Sequence, residues 1–295
     1  MREDTPSRTA EAMALFRALE DARPPGARLF ADPYARAFLR APLKLVVSLS
    51  KIPGLLGPVR SFIDRRWPGA LSSGVARTRF IDDRVCAALS DGVEQLILLG
   101  AGFDSRPYRL SGCERITVFE VDHPATLARR QQVLASLRGS CAWVRSVPID
   151  FDRDRIETVL AAAGYDADRP TLFLWEGVTN YLTESAIDHT LRWCASSRAA
   201  SRIIFTYVHR GVLDDPGAFF GATRMLATFE ALGERWTFGL DPSQLPEFLK
   251  ARGLHLDEDV GATEYRARYF GAAAAAMRGY EFYRIACAHV ADRPR

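Results

Sequence analysis

The stretch ILLGAGFDSR, residues 97–106, sets Gly100 and Gly102 directly behind an apolar run. Glycines at that place let backbone approach a ligand closely, because no Cβ stands in the way. Asp122 closes VFEVD twenty residues after Gly102. An acid at the end of the second strand is placed to accept ribose hydroxyls. The pair reads as a nucleoside site. A dinucleotide fingerprint needs a third glycine, which packs helix on strand beneath a pyrophosphate, and Ser105 stands there instead. A ligand without a pyrophosphate, such as S-adenosylmethionine, has no need of it. The plain alternative is a tight turn with no ligand. Asp104 then caps the turn that follows, and Arg106 pairs with Asp104 or a nearby acid; both read as structural.

Other acids and bases follow at strand ends. Asp150, in PIDFD, suits the amino group of an adenine with Phe151 on the ring, or else caps a helix. Glu176 comes straight after the apolar run TLFLW. A part-buried carboxylate needs a partner, either a bound ammonium or sulfonium group or a nearby arginine. IIFTYVH delivers His209 to a strand end, where it can act as a general base for a hydroxyl acceptor or sit as a hydrogen-bonded surface residue. His123 reads as helix entry, and His189, His255 and His289 as structural. There is no HExxH pair or GxSxG elbow, so metalloprotease and serine-hydrolase chemistry find no support. The five cysteines include no CxxC pair, which suits reduced thiols and a cytoplasmic setting.

These residues need a scaffold to converge. With 48% hydrophobic and 25% charged residues, the chain has ordinary globular composition. A net charge of +3 from 39 basic and 36 acidic residues is no nucleic-acid footprint. The polar N-terminus shows no signal peptide. The longest apolar stretch, APLKLVVSLSKIPGLLGPV, is broken by Lys44, Lys51, Pro53 and Pro58, too often to span a membrane; no membrane partner is expected. Helical spacing predicts a helix over 7–22, a second starting at Asp32-Pro33, helical pieces over 43–66 and a helix over 72–89. From Glu94 short apolar runs alternate with helical stretches: QLILLG, ITVFEVD, WVRSVPID, TLFLWEG, SRIIFTYVH and a last run, YEFYRIACAHV. This predicts an α/β fold, a doubly wound parallel sheet with helices on both faces. The division expected is a helical cap over 1–90 and a sheet domain over 91–295, interrupted by a helical lid at 210–238. Phe219, Phe220, Met225, Phe229, Trp236 and Phe238 form either a small core for that lid or a wall against an apolar ligand.

TRFIDD, LLGAGFDSRPYRL, VFEVDHPAT, VPIDF and PTLFLWEGVTNYL, in this order, resemble the leucine carboxyl methyltransferase-like family of S-adenosylmethionine-dependent O-methyltransferases. SRTA, LFADPYARAFL and FGLDPSQLPEFLKARG look like its bacterial, polyketide O-methyltransferase-like branch. The resemblance covers nearly the whole chain. It implies a Rossmann-like class I methyltransferase sheet of seven strands with an antiparallel last strand. It also implies S-adenosylmethionine as cofactor and S-adenosylhomocysteine as product. Arg77 matches the family arginine that pairs with the methionine carboxylate, and Arg79 can share that role. Gly100, Ala101 and Gly102 would line the amino-acid end of the cofactor. Asp122 would take the ribose, with Glu120 as second candidate, while Asp150 and Phe151 would hold the adenine. Glu176 would sit by the methionine amine and Tyr181 would close the pocket.

A carboxylate acceptor is already ionised near pH 7 and needs no base. Tyr181, Tyr207, Arg210 and Arg224 are available to hold it, with Phe220 and Trp236 as walls. The expectation is a small-molecule carboxylate, of secondary-metabolite or polyketide type, converted to its methyl ester without a metal. A phenol or alcohol with His209 as base, or a peptide C-terminus, is the alternative acceptor. A nicotinamide oxidoreductase and a non-catalytic relative are the rival classes. The missing glycine and the long segment before the first strand weigh against the oxidoreductase. Oligomeric state is left open by the sequence.

Overall fold

Leu96–Leu99 is an apolar run before Gly100, and with Gln95 it forms β1 (Gln95–Leu99), every residue buried. Its side chains alternate between two cores: Ile97 and Leu99 join one apolar cluster, Leu96 and Leu98 the other. That is what a strand covered on both faces requires. Complete burial of each such side chain contributes about 1.5–3 kcal/mol. The computed structural model describes residues 8–138, 141–150, 154–231 and 233–291.

Around β1 lie β2 (Thr117–Asp122), β3 (Val144–Pro148), β4 (Thr171–Trp175), β5 (Arg202–Val208), β6 (Leu254–Gly261) and β7 (Tyr283–Val290). Their order is β3-β2-β1-β4-β5-β7-β6. β1 to β5 run parallel, and β7 is antiparallel to both neighbours. The order reverses between β1 and β4, so the crevice over their carboxyl ends is where such a sheet binds ligands. The expected strands are all present. β6 is an addition, an edge strand whose acidic run Asp257–Asp259 conceals it in the sequence.

Four helices precede the sheet: α1 (Arg8–Asp21), α2 (Ala41–Ser50), α3 (Leu56–Arg66) and α4 (Ala70–Ser90). The helix expected at Asp32 is only a 3-10 turn over Ala35–Phe38. Asp32 does cap it, accepting the Tyr34 and Ala35 amides at 3.2 and 3.0 Å, but Leu39 turns extended and the chain restarts at Pro42 in α2. Next come α5 (Arg106–Arg109), α6 (Pro124–Arg138), α7 (Ile156–Ala162) and α8 (Glu184–Ala195). The last are α9 (Gly211–Asp214), α10 (Ala222–Ala231), α11 (Leu245–Lys250) and α12 (Ala262–Phe270). α7, α8 and α11 cover one sheet face, α4 and α12 the other. The alanine run 272–276 is 3-10 rather than α-helix.

After β5 the chain leaves through α9 and α10 and returns to the same edge, where Leu240 donates its amide to the Val208 carbonyl. Val212, Ala222 and Trp236 there form a cluster with Val208, Tyr280 and Phe282. Phe238 instead joins the core beneath β4 and β5.

Candidate active site

The loop after β1 is built around its glycines. Gly100 has φ 76°, and a Cβ on it would lie 2.5 Å from Val178 Cγ2; both facts exclude a side chain. Gly102 (φ 45°) donates its amide to Asp122 Oδ2 at 2.7 Å, while Oδ1 accepts the His123 amide at 2.7 Å. Burial pushes the Asp122 carboxyl above the usual carboxylate range, against those two amides. Ala101 is buried and its amide is taken by Val121. Glu120 is committed elsewhere: it pairs with fully buried Arg130 and accepts the Tyr108 hydroxyl at 2.8 Å. Arg130 also braces the loop from beneath, donating to the Gly102 carbonyl at 3.1 Å. Asp150, half-buried at the end of the third strand, donates its amide to Asp154 at 2.8 Å. Phe151 lies outside the described residues.

Glu176 meets two arginines. Arg77, buried in α4, reaches Oε1 at 2.9 Å, and Arg106 reaches Oε2 at 2.8 Å. Arg106 also holds Asp104 at 2.5 Å and Asp82 at 2.8 Å, and Arg109 holds Asp82 at 2.7 Å. Three acids thus balance three arginines in a buried network. Burial opposes the charge on Glu176, but Arg106 and Arg77 overcome it and hold the carboxyl below the usual range. Asp104 is likewise held down against burial, by Arg106 and Arg17. The Arg77 guanidinium lies over the Tyr283 ring, 5.6 Å from its centroid. Arg79 turns away to Asp83 and the Leu29 carbonyl.

Toward the segment after α10, Tyr181 sits just beyond Glu176, its hydroxyl 3.5 Å from Glu234, and burial raises its phenol. Thr9 of α1 donates to the same Glu234 oxygen. Trp236 packs on Phe229, Phe282 and Tyr283, and its buried indole Nε1 faces the Tyr181 hydroxyl. Trp236 and Arg210 line one groove of about 440 Å³; Arg210 is exposed and pairs with Asp214 at 3.3 Å.

The other acceptor-side residues do not converge. Tyr207 is buried, donates to Asp259 at 3.0 Å and accepts from Arg284 at 3.1 Å, tying β5 to the last two strands. Its hydroxyl is therefore engaged in holding the sheet. Phe220 lies exposed beneath the Arg278 guanidinium, and Arg224 is exposed on α10. His209 accepts the Gly211 amide on Nδ1 at 3.0 Å. That leaves the proton of the neutral ring on Nε2, which makes it a donor.

Sequence reasoning missed Glu234, Tyr283 and the extent of the Arg106 network. Arg106 and Asp104 were legible as a local pair, but nothing local ties Arg106 to Glu176, 70 residues on.

Among known proteins, the family model for leucine carboxyl methyltransferase matches residues 10–195. A relative from Frankia alni, described as "Putative S-adenosyl-L-methionine-dependent methyltransferase", is 39% identical over 210 residues, 70% of each chain. A relative of the same description from Parafrankia sp. is 32% identical over 267 residues, 88% of this chain and 81% of its own. The solved structure of a DUF574-family protein from Streptomyces avermitilis matches 93% of this chain and 96% of its own at 14% identity, with a TM-score of 0.57; that likeness speaks for the fold alone. By family match and close relatives, the chain belongs to the leucine carboxyl methyltransferase family of S-adenosylmethionine-dependent methyltransferases, built on the class I methyltransferase sheet.

Proposed function

We propose that the protein transfers a methyl group from S-adenosylmethionine to a carboxylate oxygen of a small, largely apolar molecule, giving a methyl ester. The observation that carries the cofactor half is the Arg77–Glu176 pair, 2.9 Å apart over the sheet's switch point. One cation and one anion side by side complement the carboxylate and ammonium of an α-amino acid. Above Gly177, the next residue, a Cβ would meet nothing within 4 Å, so backbone there leaves open space. Asp122 retains lone pairs for hydroxyl donors. The donor set therefore fits the amino-acid and ribose ends of the cofactor. When bound, the cofactor supplies a sulfonium methyl, an electrophile ready for in-line displacement.

The chain's own work is to orient and to exclude water. Alignment of this kind can supply ~7–11 kcal/mol. The aromatic rings around Trp236 suit an apolar body. A carboxylate is favoured because it needs no base, and His209 is wired as a donor. Glu234 favours a second reading, a hydroxyl acceptor that gives its proton to this carboxylate.

Product lability separates the two. Methyl-labelled cofactor is incubated with the protein and a set of aromatic and aliphatic acids and the matching phenols. A base-labile methyl product is expected, and a base-stable one would establish the hydroxyl reading. Calorimetry is expected to show binding of S-adenosylhomocysteine and none of NADH; the reverse result would overturn both readings.

A further inference from the structure

Six of the eight large apolar side chains exposed among the described residues lie between Leu45 and Trp67, on or beside α2 and α3. Leu45 is 60% exposed and Phe62 68%. The core does not need them, because the inward side of the same hairpin already contributes Val47 and Ile63, with Leu43 and Val59 packed beside them. Leu45 and Leu49 stand one helical turn apart on α2, and Ile52 and Leu55 follow in the turn that leads to α3. Clustered exposed apolar surface of this kind marks an interaction site.

The charge around the stripe is predominantly positive. Residues 40–67 hold six basic side chains and one acid, Asp64. Arg40 and Arg60 pair with Glu11 and Glu20. Lys44, Lys51, Arg65 and Arg66 have no acidic partner among the described residues. This segment's excess exceeds the +3 of the whole chain, so the remainder is net acidic. Apolar side chains flanked by long cationic ones are built to sit at a lipid interface, with ammonium and guanidinium groups reaching the headgroups. A second copy of the chain would set like charges against each other.

We infer that the α2–α3 hairpin docks the protein peripherally on an anionic lipid surface, its apolar stripe inserted and its lysines and arginines at the phosphates. The stretch is too broken to span a bilayer, and no described helix is long and apolar enough to cross one, but lying on a bilayer needs neither length nor continuity.

The test is flotation of the full chain with vesicles of equimolar phosphatidylcholine and phosphatidylglycerol, and with phosphatidylcholine alone. Binding is expected to the anionic vesicles and to weaken with salt. The double variants Lys44→Glu with Lys51→Glu, and Leu45→Ser with Phe62→Ser, should each lose about tenfold or more of it. Both should keep the parent's S-adenosylhomocysteine affinity and melting temperature, which separates lost docking from lost folding. Equal binding to both vesicle types, or to neither, would overturn the inference. So would a dimer in solution that Leu45→Ser with Phe62→Ser dissolves, because the face would then be covered by a second copy.

Discussion

Arg77 and Arg106 grip the same carboxylate from two sides, and what else each one holds separates their expected roles. Arg106 is the centre of the network, bonded to three acids. Arg106→Ala leaves Asp82, Asp104 and Glu176 under-compensated in a buried site, a loss of about 3–5 kcal/mol that denaturant unfolding would register. Arg77→Ala leaves Glu176 still bound by Arg106, so stability should suffer less. Its cost should fall on S-adenosylhomocysteine affinity, roughly ten- to hundredfold for one charge-assisted contact of about 1.5–3 kcal/mol; unchanged affinity by calorimetry would remove Arg77 from the site.

The carboxyls also part company in acid. Asp104 and Glu176 are held below the ordinary range, so their stabilisation is complete above the unfolded carboxyl pKa and is lost as pH falls through the folded values. Asp122 is held above that range by burial and takes up a proton first. Cofactor affinity should therefore fall on mild acidification, before the network loosens. In Asp122→Asn the affinity should be lower at neutral pH and should lose that limb.

Elements with two buried faces were the legible ones. β1 and β4, buried on both faces, are short apolar runs bounded by polar or turn residues. β6 was hidden because an edge strand with one solvated side tolerates Asp257, Glu258 and Asp259, which read as loop. Residues 210–238 were legible as an interruption of the strand–helix alternation, but the direction of their side chains was not. Phe219, Met225 and Phe229 pack around Trp236 while Phe238 goes under the sheet, and residue type alone does not distinguish the two. The glycine loop after β1 was legible as a turn; what fills the space above Gly100 was not. Val178, supplied by the turn after β4, occupies it. Gly100→Ala should therefore destabilise on two counts, the left-handed φ and the clash, each of about 1–3 kcal/mol. Adding Val178→Ala should recover the clash and leave the backbone strain, and urea midpoints of the three variants would expose that non-additivity.

At the scale of the whole molecule, segments far apart in the chain meet over the carboxyl edge of the sheet. α1 lies across the glycine loop: Arg17 donates to the Phe103 carbonyl at 2.5 Å, and Ala10 Cβ is 3.9 Å from where a Gly102 Cβ would stand. Next to Ala10 in α1, Thr9 donates to Glu234, which follows α10, 225 residues on. Tyr181 reaches the same carboxylate from the 3-10 turn that follows β4. α1, the segment after α10 and the turn after β4 are thus joined at one acid, and on the proposed reading this contact closes over a cofactor seated on the loop. Thr9→Val keeps the shape and removes the donor. A hydrogen bond to a half-exposed group contributes about 1 kcal/mol, so S-adenosylhomocysteine should dissociate about fivefold faster. The melting temperature should hardly change, because neither partner is part of the core. Glu234→Gln should leave a weaker acceptor for Thr9 and give a smaller acceleration. Stopped-flow displacement would measure both rates, and parent-like dissociation in both variants would show that the contact does not close the site.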